Sequence, residues 1–290
     1  MQRQKNTHPD KSRVYLVGSG IASLASATYL IKDAGVPGKN IHILEQDDMP
    51  GGALDGGGDP ENGFIIRGGR MHVEHFVCYW DLLSGIPSYD DPGVSVKDEC
   101  FEFNSRFVSH AQARLLRNGK RIDLSSFGLS MKDQADLLRL TFASESSLDN
   151  IRIEDWFEDG FFETNYWYLW TSMFAFQKWS SVAVMRRYMK RFIHLLYGMP
   201  RLGGILRTKY NTYHSVVLPL QRYLQQRGVH FVMRTQVVDI DFDTRADQKT
   251  ATVIHTVNEN KDSDAIALGE NDYVFVTNGS ITESTASGSW

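Results

Sequence analysis

Residues 14–30 read VYLVGSGIASLASATYL. Val14 to Val17 form a continuous apolar run, the pattern of a strand buried on both faces of a parallel sheet. Gly18, Ser19 and Gly20 follow as a tight turn, and from Ile21 the sequence runs at helical spacing through Leu24, Ala25, Thr28 and Leu30. Strand, glycine turn and helix in this order offer free backbone N–H groups and the positive end of a helix dipole to a pyrophosphate. Gly18 permits the sharp turn, and Gly20 lets the backbone approach the phosphates. Ser23 stands where the GxGxxG pattern has its third glycine and is small enough for close packing of helix on strand. The next apolar run, Ile41 to Leu44, ends in Glu45, 25 residues beyond Gly20. A carboxylate at that strand end accepts hydrogen bonds from two ribose hydroxyls, so the expected ligand is a dinucleotide; the alternative is a glycine turn without a ligand.

Working outward, PGGALDGGGDPENGF (50–64) is dense in glycine and suits either a surface excursion or a loop passing close to a nucleotide's phosphates. Phe64 to Ile66 then lead into Arg67, Gly68, Gly69 and Arg70, where two glycines between two cations place backbone close to a ligand or form an exposed bulge. Residues 71–83 show a helical apolar stripe, stopped by Gly85 and Pro87. His72, Glu74 and His75 have no further ligands at metal-binding spacing, so no metal site is expected. Residues 94–124 alternate as a hairpin or meander about Asn118 and Gly119, and a helix begins at Ser130. The aromatics of 153–170 read mainly as core.

Ser180 to Leu196 is the clearest helix, with Val182, Met185, Met189, Phe192 and Leu196 on one side and a basic opposite side that is solvated or meets an anionic surface. Read from this helix alone, Tyr188 is a core tyrosine with a satisfied hydroxyl. TKYNTYHS (208–215) precedes a helix over 217–226 closed by Gly228. Strands are expected over 229–242, with a polar break at 234–236, and over 250–257 and 273–277, with a turn at 261–264.

The chain has 290 residues, 42% apolar and 23% charged, the balance of an ordinary globular protein. A net charge of −4 gives no electrostatic case for nucleic acid. Two cysteines, Cys78 and Cys100, imply no disulfide framework and a reducing, cytoplasmic setting. No run of 18 apolar residues or signal sequence is present, so the chain is expected neither to span a membrane nor to be secreted. The order of elements suggests a discontinuous nucleotide-binding domain, 12–92 and 216–290, interrupted by an inserted domain, 93–215.

GSGIASLASATYLI, IHILEQ, GGALDG, GFIIRGGR, HFVCYWDLLSGIPS, MFAFQKW, MRRYMKRF, TKYNTYHS and VFVTNGSITES together resemble the oleate hydratases, also called myosin-cross-reactive antigen proteins, from Val14 to Ser284. The resemblance implies an α/β fold: an FAD-binding, Rossmann-like domain of glutathione-reductase type with an inserted, mostly helical substrate or cap domain. It implies a lyase that adds water across the cis-9 double bond of oleate or linoleate, giving 10-hydroxy fatty acids without net redox change. Gly18, Ser19, Gly20, Ile21, Glu45, Gln46, Gly51, Gly52, Gly69, Arg70, Val237, Thr277, Asn278 and Ser280 fall on its FAD-binding stretches, and Asn211 and Thr212 on its substrate side. Tyr188 falls on its proton-donating tyrosine. A phenol is a weak acid, so the site must stabilise the cationic character that develops on carbon. Expected partners are an unsaturated fatty acid and no nucleic acid, with peripheral membrane contact and a homodimer left open.

This sequence departs from the family pattern where Met71 follows RGGR in place of a glutamate and where Thr212 replaces a glutamine. Water activation then uses another group, such as His72, Glu74 or a backbone carbonyl, or the branch is slow or inactive; an active variant is the expectation. The family's chains also continue past VFVTNGSITES, so a fragment or truncated product with an exposed apolar docking surface is expected. The alternatives are a flavin oxidoreductase of amine oxidase or desaturase type, sharing the same layout, and an inactive FAD- or fatty-acid-binding remnant.

Overall fold

The computed structural model describes residues 9–54, 56–66, 71–111 and 115–278. In chain order the elements are β1 (Val14–Val17), α1 (Ile21–Lys32), β2 (Ile41–Leu44), β3 (Gly56–Asp59), β4 (Gly63–Ile66), β5 (His72–Val73), α2 (Val77–Ser84) and α3 (Val96–Arg106). There follow β6 (Leu116–Arg117), β7 (Lys120–Arg121), α4 (Met131–Phe142), α5 (Ile153–Trp156), α6 (Asn165–Phe174), α7 (Val182–Phe192) and β8 (Ile205–Leu206). The last elements are α8 (Leu218–Gln226), β9 (His230–Val232), β10 (Thr235–Thr244), β11 (Lys249–Asn258), β12 (Ser263–Ala267) and β13 (Tyr273–Val276).

Contacts divide the chain into two compact units, Met1–Phe107 with Leu206–Trp290, and Val108–Ile205. Residues 93–107 and 206–215, expected in the insertion, group with the first unit: Val96 and Cys100 of α3 are buried in its core, and Leu206 and Tyr213 pack against it.

The first unit is built on a four-stranded parallel sheet in the order β13, β1, β2, β9. All four residues of β1 are buried, as a central parallel strand requires. Alternate residues face opposite sides. Val14, Leu16, Ile41 and Ile43 join Leu24 and Ala27 of α1 and Leu220 and Leu224 of α8 in one core. Tyr15 and Leu44 meet Ile254 on the other face, where the antiparallel sheet β10, β11, β12 packs. The polar break expected at 234–236 is where the chain leaves one sheet for the other, turning through Arg234 at φ 53°. Arg13 holds the start of β13 with a 2.6 Å ion pair to Asp272.

The second unit is helical around an aromatic core. Phe157 and Phe161 stack at 3.8 Å, and Phe162, Tyr166, Trp167 and Trp170 complete the buried cluster. Ser130 and Asp133 form a reciprocal capping box that starts α4. β6 and β7 are the hairpin about Asn118 and Gly119, both at positive φ.

Three local expectations are corrected. Residues 96–106 are helical rather than a strand, because α3 buries Val96, Cys100 and Asn104 at a spacing of four. Within 71–83 the first residues are extended, and the helix starts only at Val77. The turn expected at 261–264 is short, and β12 begins at Ser263, paired with β11. Among the described residues no helix is long and apolar enough to cross a membrane.

Candidate functional site

In the order β9, β2, β1, β13 the chain moves from β1 to β2 on one side and places β13 on the other, so a crevice opens beyond the carboxyl ends of β1 and β13. Gly18 and Thr277 stand at those two ends. Gly18 donates its N–H to the Leu44 carbonyl at 2.8 Å and has φ +89°, and a Cβ there would lie 3.1 Å from Thr277 Oγ1. Both the conformation and the close approach require glycine. Thr277 donates to the Val17 carbonyl through its N–H at 3.1 Å and its hydroxyl at 2.8 Å. With that proton spent, Thr277 Oγ1 accepts from the hydroxyl of Ser23 at 2.9 Å. The serine at the third GxGxxG position therefore does more than fit.

Glu45 is buried, and its carboxylate closes the turn. Oε2 accepts from the Ser19 N–H at 2.8 Å and the Ser19 hydroxyl at 2.5 Å, while Oε1 accepts from the Asp47 N–H at 3.0 Å. A carboxylate has about four acceptor positions, so capacity for a further donor remains on Oε1. Gln46, the next residue, is exposed, and Ile21 at the first turn of α1 is half-buried.

The glycine-dense loop lies directly against this turn. Gly51 donates its N–H to the Ser19 carbonyl at 3.0 Å, and Gly20 and Gly51 form a parallel bridge. Gly52 has φ +52°, and a Cβ on it would come within 3.2 Å of Gly20 Cα. Gly20 differs from its neighbours. Its φ of −66° suits any residue, and a Cβ there would meet nothing within 4 Å. The fold gives no reason for glycine at this position, whereas a ligand lying on the backbone does. Among the described residues no side chain caps the start of helix α1, which leaves its first N–H groups to an anion. These features fit a dinucleotide.

Thr235 donates its N–H to the Glu45 carbonyl at 2.7 Å, which brings β10 to the site, and Val237 sits beside a bulge in the β10–β11 pairing at Val238. Asn278 follows Thr277 and is exposed. Gly69, Arg70 and Ser280 lie outside the described residues, as do Arg67 and Gly68.

The substrate-side pair from sequence also falls in this unit. Asn211 Oδ1 accepts from the His214 N–H at 2.9 Å, and Thr212 leads into a turn of π-helix over Tyr213–Val217. Such turns often mark functional positions. A Cβ on Gly56 would stand 3.4 Å from Tyr213 Cβ and 3.5 Å from Asn211 Nδ2, so the glycine-dense loop also abuts this segment. Sequence reading missed the neighbouring cluster in which Asp90 accepts from Lys209 and, at 2.8 Å, from the Tyr210 hydroxyl.

Tyr188 belongs to the second unit. It is 39% exposed on the flank of α7, with its ring edge-on to Phe174 and Phe176, each at 5.2 Å, and near Phe192 at 5.9 Å. Among the described residues its hydroxyl has no hydrogen-bond partner. The core tyrosine suggested by the helix pattern alone is thus replaced by a partly open one. Met71 is 43% exposed. No cluster of three metal-ligating side chains occurs among the described residues.

Residues 11–290 match the MCRA family. The chain belongs to that family. This MCRA chain is 40% identical over 281 residues to the oleate hydratase of Streptococcus pyogenes serotype M49, covering 97% of this chain and 48% of that protein. It is 34% identical over 305 residues to the linoleate hydratase of Lactiplantibacillus plantarum, covering 97% of this chain and 53% of that one. The chain therefore spans about half the length of the curated relatives it matches. Among solved structures it is similar to an oxidoreductase from Methanosarcina mazei, with a TM-score of 0.54 and 14% identity over 91% of this chain and 58% of that one. It is also similar to a CLA-producing fatty acid isomerase from P. acnes, with a TM-score of 0.50 and 15% identity over 88% of this chain and 57% of that one. At such identities the likeness concerns the fold, an α/β architecture with a parallel Rossmann-like sheet and helical insertions.

Proposed function

We propose that this MCRA chain supplies the FAD-binding unit and the proton-donating tyrosine of a hydratase acting on oleate- or linoleate-type fatty acids. The observation that carries the reading is the backbone cradle at Gly20: a position open on its Cβ side, at an uncapped helix start, closed by Gly51 and Gly52 and fixed by Glu45 and Thr277. The N–H groups at the start of α1 hold the pyrophosphate, and Glu45 accepts from the ribose. Ser19, Ile21, Gln46, Val237 and Asn278, with Gly69, Arg70 and Ser280, are assigned to the same site by sequence. FAD bound there supplies a polarisable ring face rather than net oxidation.

Tyr188 gives its hydroxyl proton to one alkene carbon while a water oxygen bonds to the other and loses a proton, which passes through solvent to restore the Tyr188 hydroxyl, so that one water is added overall. Among the described residues the hydroxyl has no hydrogen-bond partner, and the neighbouring rings of Phe174, Phe176 and Phe192 are a polarisable surrounding for the cationic character that develops on carbon. Asn211 and Thr212 are assigned to the substrate side. Cys78 and Cys100 are free thiols, consistent with a reducing, cytoplasmic setting.

The test is incubation of the protein with oleate, FAD and a reductant. A hydroxy fatty acid is expected; steady flavin reduction by the substrate with release of hydrogen peroxide would instead identify an oxidoreductase.

A further inference from the structure

Where the β10–β12 sheet meets the parallel sheet, the first unit holds a cavity of about 290 Å³. Among the described residues none of Gly18, Gly20, Gly51 or Gly52 lines it, so it is a different place from the nucleotide cradle. One wall is the face of the parallel sheet that carries Tyr15 and His42. Because the strands are parallel and in register, Tyr15 of β1, His42 of β2 and His230 of β9 stand side by side on that face. Their rings form a ladder, Tyr15 on His42 at 5.1 Å and His42 on His230 at 4.8 Å. With both faces of the His42 ring covered, its edge, which bears the two nitrogens, is what remains for the cavity.

Buried polar groups almost always have hydrogen-bond partners, and those without one call for an explanation. Tyr15 is only 4% exposed, yet among the described residues neither its hydroxyl nor a ring nitrogen of His42 has a partner. His230 differs, its Nε2 being bonded to the Lys39 carbonyl at 3.1 Å. The cavity that Tyr15 and His42 line supplies the missing partner, and its volume is just under the roughly 300 Å³ at which ligand pockets begin, so the ligand is small.

Charge narrows its class. Asp262 and Asp264 line the cavity, and among the described residues no lysine or arginine does. Arg13, 5.9 Å from the Tyr15 ring, is taken up by its ion pair with Asp272. Asp262 Oδ2 accepts from Asn258 Nδ2 at 3.2 Å and Asp264 Oδ1 from the Ala265 N–H at 2.8 Å, which leaves the other oxygen of each carboxylate to a ligand. Burial, helped by His230 and Arg13, lowers the His42 pKa, and burial raises that of the Tyr15 phenol, so both rings are neutral at pH 7 and the lining is net negative. Leu44, Val232 and Ile266 add apolar surface.

We propose that this cavity binds a small organic ammonium ion bearing a hydroxyl group. The ammonium pairs with Asp262 and Asp264, the hydroxyl completes the hydrogen bonding of Tyr15 and His42, and the body packs on the apolar side chains. The same two carboxylates repel a fatty-acid carboxylate and a phosphate. Neither the cavity nor its ligand class depends on the hydratase reading.

The test is calorimetric titration of the full chain at pH 7.5 with tyramine, and with tyrosol and 4-hydroxyphenylacetate, which carry a neutral hydroxyl and a carboxylate on the same phenol. Tyramine is expected to bind at least tenfold more tightly than tyrosol, and 4-hydroxyphenylacetate not to bind. Asp262→Asn combined with Asp264→Asn, both near the surface, is expected to weaken tyramine at least tenfold with the unfolding midpoint and the tyrosol affinity kept, and Tyr15→Phe to weaken tyramine and tyrosol alike. Saturation with FAD is expected to leave tyramine binding unchanged. Absence of tyramine binding, equal affinity for tyramine and tyrosol, full affinity in the double asparagine variant, or displacement of tyramine by FAD would overturn the proposal.

Discussion

Ser23 and Thr277 share a hydrogen bond of 2.9 Å although 254 residues separate them in the chain. It ties the first helix of the proposed nucleotide site to β13, at the point where a Cβ on Gly18 would lie a tight 3.1 Å from Thr277 Oγ1. Removing the Ser23 hydroxyl by Ser23→Ala deletes one bond and is expected to cost about 1 kcal/mol. Thr277→Val also removes the bond to the Val17 carbonyl and is expected to cost more, about 2 kcal/mol. Urea unfolding of the two variants and their double checks this, and the double is expected to fall short of the sum because one bond is shared.

Gly18 and Gly20 separate structure from ligand. Gly18→Ala forces a side chain into a left-handed conformation and against Thr277, and is expected to destabilise the fold by at least about 1 kcal/mol. Gly20→Ala meets no protein atom and keeps an ordinary φ, so stability is expected to hold or rise by about 0.5 kcal/mol. In the proposed site its Cβ nevertheless stands on the pyrophosphate's path. Flavin titration is expected to show FAD affinity falling at least tenfold in Gly20→Ala while the unfolding midpoint is kept.

Tyr188→Phe removes a hydroxyl that has no partner among the described residues, so the variant is expected to unfold within about 0.5 kcal/mol of the parent. Loss of the proton donor is expected to lower hydration by roughly 10²–10⁴-fold. Paired measurements of unfolding and hydroxy-acid formation check this; a large loss of stability with activity kept would remove Tyr188 from the chemistry.

The buried neutral His72 makes stability depend on pH. Its folded value of about 4 lies below the ordinary 6.5, so between those values the unfolded chain binds more protons and stability falls as pH falls. The contribution is fully present above pH 6.5 and is lost as pH falls to about 4, by an amount on the order of 3 kcal/mol. Denaturant unfolding between pH 7.5 and 4 is expected to show this slope, and His72→Phe to lose it.

How far the sequence carries depends on how local each cause is. The β1 turn, α1 and the Glu45 strand end were legible because burial on both faces removes alternation and because turn geometry leaves glycines. Helix α3 was not. Its phenylalanines alternate like a strand, while its buried face includes Asn104, a polar residue accommodated by a bond to the Cys100 carbonyl one turn back and by bonds to Arg207 more than a hundred residues away. Strand β12 is exposed along most of its length and is defined by its pairing with β11. Tyr188 looked like core because helical spacing marks the edge of an apolar stripe without saying how far that edge is covered. The Ser23–Thr277 bond depends on packing that no sequence window contains.

The most direct test of the central claim is mass spectrometry of the product formed from oleate and FAD, under reducing conditions, in oxygen-18 water. The account predicts a 10-hydroxy acid carrying one solvent oxygen atom, and its near absence with Tyr188→Phe. An oxidised fatty acid without solvent oxygen, formed with hydrogen peroxide, would contradict it.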